Sequence, residues 1–124
     1  MTNVPRELVE PYQNYHRAAD QVHEMRMVVY AAEANLLDAK DALDFEEARL
    51  ILVAEGKNAE ERKANLTLLM EQDENWHKAR RAIAQRRQEL AQAQANLERE
   101  IDRKRGWGWI VRSVAGVHAP PDDS

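Results

Sequence analysis

The chain has no cysteine, which excludes thiolate metal sites, disulfides and cysteine nucleophiles. Glycine and proline are scarce, four of each among 124 residues, so there are few places where a regular element has to stop. Aromatic bulk is thin, with one Phe, three Trp and three Tyr. Any core must therefore be narrow and built from Leu, Val, Ile, Met and Ala. No apolar run approaches the roughly 20 residues of a membrane-spanning helix, and the first residues lack the basic-then-apolar order of a secretion signal. Those absences predict a cytoplasmic protein that does not contact a membrane. Also missing are a glycine-rich phosphate loop, a nucleophile elbow and a zinc-protease motif. What remains is 32% charged and 44% apolar residues, a balance that suits one all-α domain of bundled helices.

The pattern is organised around Ala54-Glu55-Gly56-Lys57-Asn58-Ala59-Glu60-Glu61-Arg62. Gly56 is suited to the left-handed conformation that ends a helix, and Asn58 with Glu61 three residues on is a capping-box variant that starts another. Adjacent stop and start signals predict a long antiparallel helical hairpin, a coiled coil with helix 1 over about 11–55 and helix 2 over about 59–105. Asn3 can cap a short turn containing Pro5, and Pro11 is placed as the first residue of helix 1. Tyr15, Val22, Val29, Leu36, Leu43 and Leu50 recur every seventh position, with Ala18, Met25, Ala32, Ala39 and Val53 three further on. Glu46 is the charged intruder in that seam. Helix 2 answers with Leu69, Trp76, Ile83, Leu90 and Leu97, supported by Leu66, Ala79, Ala93 and Ile101. Folding about Lys57 sets Leu36 near Trp76, Val29 near Ile83 and Tyr15 near Leu97. Arg103, Lys104 and Arg105 suit the negative end of the helix dipole, with Gly106 as terminator.

Two domains of unequal size follow: a hairpin over 1–105 and an apolar Trp/Gly tail over 106–124. Within the tail a short helical turn over about 109–115 is expected, with Pro120 to Ser124 frayed. Trp107 and Trp109 are candidates for covering the open end of the bundle or for anchoring a partner. Helix 1 carries a second apolar stripe of Met27, Tyr30, Ala34, Leu37, Ala48 and Leu52, with Phe45 beside it. A helix with two apolar faces is normally buried on both, which predicts a homodimer in a four-helix arrangement or docking on another protein.

Few residues suggest chemistry. Asp20 with His23, and Glu74 with His77, each place a carboxylate and an imidazole three apart, the spacing used in di-metal helical bundles. The expected register keeps the two pairs roughly 20 Å apart. His16, Asp20 and His23 share a helical face, but such a face is more often simply solvated. Asp44, Glu46, Glu47 and Glu55 lack the desolvated pocket that a general acid needs. These residues predict no enzyme, metal or cofactor. Charge is segregated: residues 6–55 hold 5 Lys and Arg against 11 Asp and Glu, and residues 57–105 hold 12 against 9. Lys78, Arg80, Arg81, Arg86 and Arg87 are the densest cations. They could contact nucleic-acid phosphates, or answer the acidic helix across the hairpin.

The hinge, from Glu55 to Leu66, resembles a turn that recurs in small helical-hairpin proteins encoded by bacteriophages and prophages. The likeness covers about a tenth of the chain. It implies a phage-encoded accessory protein of DNA replication or recombination and carries over no catalytic residue. Taken together, the expectation is a coiled-coil interaction protein that binds a protein partner, with nucleic-acid binding by helix 2 as the alternative.

Overall fold

A computed structural model describes residues 6–118. They form α1 (Arg6–Val53), α2 (Ala59–Gln72) and α3 (Glu74–His118), with no strand among the described residues. The chain is all-α, and two long helices, α1 and α3, pack closely. No helix of the described residues is long and apolar enough to cross a membrane. The chain divides into two compact units, one of residues up to Val29 together with those from Ala93 onward, the other of Tyr30–Gln92. Asn3, Pro5 and the run from Ala119 to Ser124, with the expectations placed on them, lie outside the described residues.

In the Tyr30–Gln92 unit, Ala32, Ala39, Leu50, Trp76 and Ile83 are buried, and Leu36, Leu43, Leu66, Leu69, Ala79 and Leu90 are half-buried. The heptad positions therefore face inward on both sides of the turn. Val53, expected to close the seam, is exposed instead, because α1 ends there. Asn58 caps α2 as expected: its backbone is extended (φ −144°, ψ 175°) and its side-chain oxygen accepts the Glu61 N–H at 2.8 Å.

Gly56 plays a different part from the one expected. No glycine among the described residues has a positive φ, so Gly56 is not a left-handed terminator. A Cβ at Gly56 would stand 2.6 Å from the Arg62 amide nitrogen and 2.9 Å from Arg62 Cγ. The first turn of α2, closed by the Arg62 N–H on the Asn58 carbonyl at 3.0 Å, lies directly against the glycine. The Asn65 side-chain amide donates to the Glu55 carbonyl and holds the hinge to α2.

The second helix is not continuous. It breaks at Asp73, whose backbone is extended (φ −87°, ψ 116°) and whose carboxylate caps α3 by accepting the Trp76 N–H at 2.8 Å. His77 Nε2 lies 2.7 Å from the Glu71 carbonyl and satisfies one of the acceptors that the end of α2 leaves open. Both sides of the break are capped by nearby side chains, Asp73 three residues before Trp76 and His77 six residues after Glu71.

In the unit that joins the start of α1 to the end of α3, Leu8, Ala18, Val22, Val29 and Ala93 are buried, with Tyr15, Met25, Leu97 and Ile101 half-buried. Two boundaries differ from expectation. α1 already runs from Arg6, with Pro11 inside it, so Leu8 enters the core. α3 continues through Gly106 and Gly108 to His118, so there is neither a terminator at Gly106 nor a separate turn at 109–115. Each helical glycine costs about 1 kcal/mol against alanine. The inward spacing of Ile101, Lys104, Gly108, Val111 and Ala115 continues past the glycines, and packing on α1 holds the helix together.

Register is the further difference. Tyr15, expected beside Leu97, has the Lys104 ammonium 5.9 Å from its ring and Gly108 in contact with its edge. Trp76, expected beside Leu36, instead points its indole N–H at Glu47, 3.5 Å away. Within each unit the pairing has slipped by seven to eleven positions. Slips of seven and eleven are both close to a whole number of helical turns, so the same faces still meet and apolar spacing alone cannot detect them.

The glycines should respond in opposite directions. Gly56→Ala is expected to lose about 1–2 kcal/mol, because the new Cβ meets backbone rather than a side-chain tip. Gly106→Ala, with nothing within 4 Å of its Cβ, is expected to gain about 1 kcal/mol from helix propensity. Urea unfolding followed by circular dichroism measures both, and two shifts of the same sign would contradict the assignment.

Candidate functional site

Because Leu36, Leu43 and Leu50 face inward, the opposite side of α1 faces solvent. At about 100° per residue, Tyr30, Ala34, Leu37, Ala48 and Leu52 cluster on that opposite side, with Phe45 at its margin. Within the Tyr30–Gln92 unit, Tyr30 is 62%, Leu37 60%, Phe45 68% and Leu52 86% exposed. Ile51, which the sequence reading passed over, is also exposed beside Leu52. Asp41 lies on the same face and is exposed, which divides the apolar surface in two. Met27, in the other unit, is exposed as well.

A polar node that links α1 to α3 borders this face, since Arg49 stands one turn from both Phe45 and Leu52. Arg49 Nη2 lies 2.8 Å from Glu46 Oε2 and 2.8 Å from Asp73 Oδ2, so the carboxylate that intrudes on the seam is paired. Asp73 thus uses one oxygen for α1 and the other for the first turn of α3. Its carboxyl is held below the ordinary carboxylate range, first by the Arg49 hydrogen bond and then by the Trp76 amide. The Trp76 ring packs edge-on to His77 at 5.0 Å, with the Arg80 guanidinium 4.9 Å from its centroid. A single Asp at the head of Asp73-Glu74-Asn75-Trp76 is the sequence signal that could have revealed the break, since Asp is a preferred helix cap.

The five cations of the expected phosphate surface do not form one stripe. Arg80 sits over Trp76 and Arg86 pairs with Glu89 at 2.9 Å, while Lys78, Arg81 and Arg87 are exposed. At helical spacing Lys78 and Arg81 point away from Arg80 and Arg87. The Arg49–Asp73 pair also reverses the expected sense of charge pairing, because the cation comes from the acidic helix. Glu74 and His77 are not set up as ligands, since the His77 ring is bonded to a backbone carbonyl. His16 stacks on Tyr12 at 6.1 Å, and Asp20 and His23 are exposed. In the other unit, Trp107 is half-buried and Trp109 is 65% exposed, with the Arg112 guanidinium 5.5 Å from its ring.

Compared with known protein families, characterised proteins and solved structures, the chain matches none.

The node should make stability depend on acid. A carboxyl whose pKa is lowered on folding adds stability above its unfolded value, about 4, and loses it as pH falls through the folded value. Asp73→Asn keeps a capping oxygen but not the charge. It is expected to lower the melting temperature at pH 7 and to flatten the decline on acidification below about pH 4. Asp73→Ala, which also loses the cap, should melt lower still. Thermal melts of the three proteins at neutral and acid pH test this ordering.

Proposed function

We propose that this chain is a non-enzymatic, coiled-coil-type interaction protein whose helical hairpin presents the outer face of α1 to a protein partner, the first candidate being a second copy of itself in a four-helix arrangement. The observation that carries this reading is the exposure of Tyr30, Leu37, Phe45 and Leu52 on one side of a helix whose other side is already packed. Single exposed apolar residues are ordinary on a protein surface, but a file of large ones on one face marks a contact surface. Asp41, on the same face, suits a partner that offers a cation opposite it. A phosphate-binding role for α3 has less support, since its cations are dispersed around the helix and two of the five are engaged locally. The accessory role implied by the hinge resemblance is compatible with a binding surface and needs no catalytic group.

The test is a paired substitution, Leu37→Glu with Leu52→Glu. Both side chains are exposed in the single chain, so helicity and melting temperature should stay near those of the parent. Sedimentation or light scattering should show the parent self-associating and the double variant running as a monomer, because a charge in a desolvated contact costs several kcal/mol. A parent that remains monomeric at high concentration would remove self-association from the proposal. Loss of helicity in the variant would mean that the face is needed inside the fold.

A further inference from the structure

Where α1 begins and α3 ends, the inward ladder of the first unit opens into a cleft of about 530 Å³, within the ~300–1,000 Å³ range of small-molecule sites. The opening has a cause in the sequence. Leu90 and Leu97 recur at seven-residue spacing, and the next two positions in that series are Lys104 and Val111. Lys104 brings a cation where the two before it bring leucine. Gly108, four residues on, has no side chain to fill the layer opposite Tyr15. Its missing Cβ would sit 3.5 Å from Tyr15 Cε2, an ordinary contact distance, so the space is not there to relieve a clash.

The lining is chemically one-sided. Tyr12 and Tyr15 supply rings from α1, Lys104, Arg105 and Arg112 supply cations from α3, and among the described residues no carboxylate or amide side chain lines the cleft. Phenol, ammonium and guanidinium groups donate hydrogen bonds, and the two cationic types cannot accept them. Arg112 is oriented by its Nε–H on the Gly108 carbonyl at 3.3 Å and by stacking on Trp109. Arg105 has only a 3.6 Å contact to Asp102 between two well-exposed side chains, a pairing weak enough for a ligand to replace. Tyr12 is 43% exposed, leaving ring surface for a guest.

From this arrangement we infer that the cleft binds a ring-bearing anion, with a phosphate or carboxylate set among Lys104, Arg105 and Arg112 and a flat apolar body against Tyr12 and Tyr15. It uses residues other than those of the α1 protein-binding face, and either reading can fail without the other. The full chain is titrated with adenosine 5′-monophosphate, with 2-naphthoate and with inorganic phosphate, followed by calorimetry and tryptophan fluorescence. At least one ring-bearing anion is expected to bind about ten-fold tighter than inorganic phosphate, because a ring stacked on an aromatic side chain adds favourable contact that phosphate cannot make. The response to the nucleotide as against the carboxylate identifies which anion is used, and binding should weaken with salt. Gly108→Leu fills the cleft and is expected to abolish binding while helicity is kept. Tyr12→Ala and Arg112→Gln, both at exposed positions, should each weaken binding whether or not the leucine variant folds. Equal affinity for phosphate and the ring anions, no binding in the millimolar range, or parental affinity in all three variants would overturn the inference.

Discussion

The carboxylate of Asp73 is shared between Arg49 on α1 and the first turn of α3, and this contact between unlike groups distinguishes one register of the Tyr30–Gln92 unit from the others. Apolar ladders with a seven-residue repeat interlock equally well when one slides past the other by a heptad. They specify which faces meet and leave open which layers do. A charge-assisted contact with fixed geometry does not survive such a slide. Asp73 can make its bond to Arg49 only where the break between α2 and α3 stands level with that part of α1. The seam supplies most of the burial, and the Arg49–Asp73 contact fits only the register observed.

Narrowness is the second constraint. A pair of helices withdraws one face of each from water, and in the described residues no large side chain is completely buried. In a layer this thin, apolar residues beyond the seam remain in solvent. The exposed file on α1 and the cleft at Tyr12 and Tyr15 are both consequences. The first arises because α1 carries more apolar residues than one seam can cover, and the second because a lysine and a glycine occupy positions where the ladder elsewhere has bulk.

The glycines show how context decides the role of a permissive residue. Gly56 is needed because the Arg62 backbone comes too near for any Cβ. Gly106 and Gly108 lie within an uninterrupted helix, despite a propensity that would favour ending it. Isolated helical propensity is worth about 1 kcal/mol per glycine, whereas the partial burial of Ile101 and Val111 beside Tyr12 and Tyr15 of α1 offsets it. The termination expected at Gly106 therefore does not occur.

Period and polarity are local properties, and the sequence alone determined what depends on them. The all-α class, the hinge between Val53 and Ala59, the Asn58 cap, the inward positions from Tyr15 to Leu50 and the outward position of Tyr30, Leu37, Phe45 and Leu52 all follow from spacing and from one capping side chain. The heptad register, the break at Asp73, the entry of Leu8 into the core and the run of α3 to His118 were decided only by tertiary structure. Each of these turns on a partner distant in sequence: Arg49 for Asp73, the end of α3 for Leu8, and the start of α1 for the residues beyond Gly106. A pattern with a period of seven carries no label for its repeats, so only contacts between unlike groups, such as a guanidinium on a carboxylate or an ammonium over a tyrosine ring, can tell one repeat from the next.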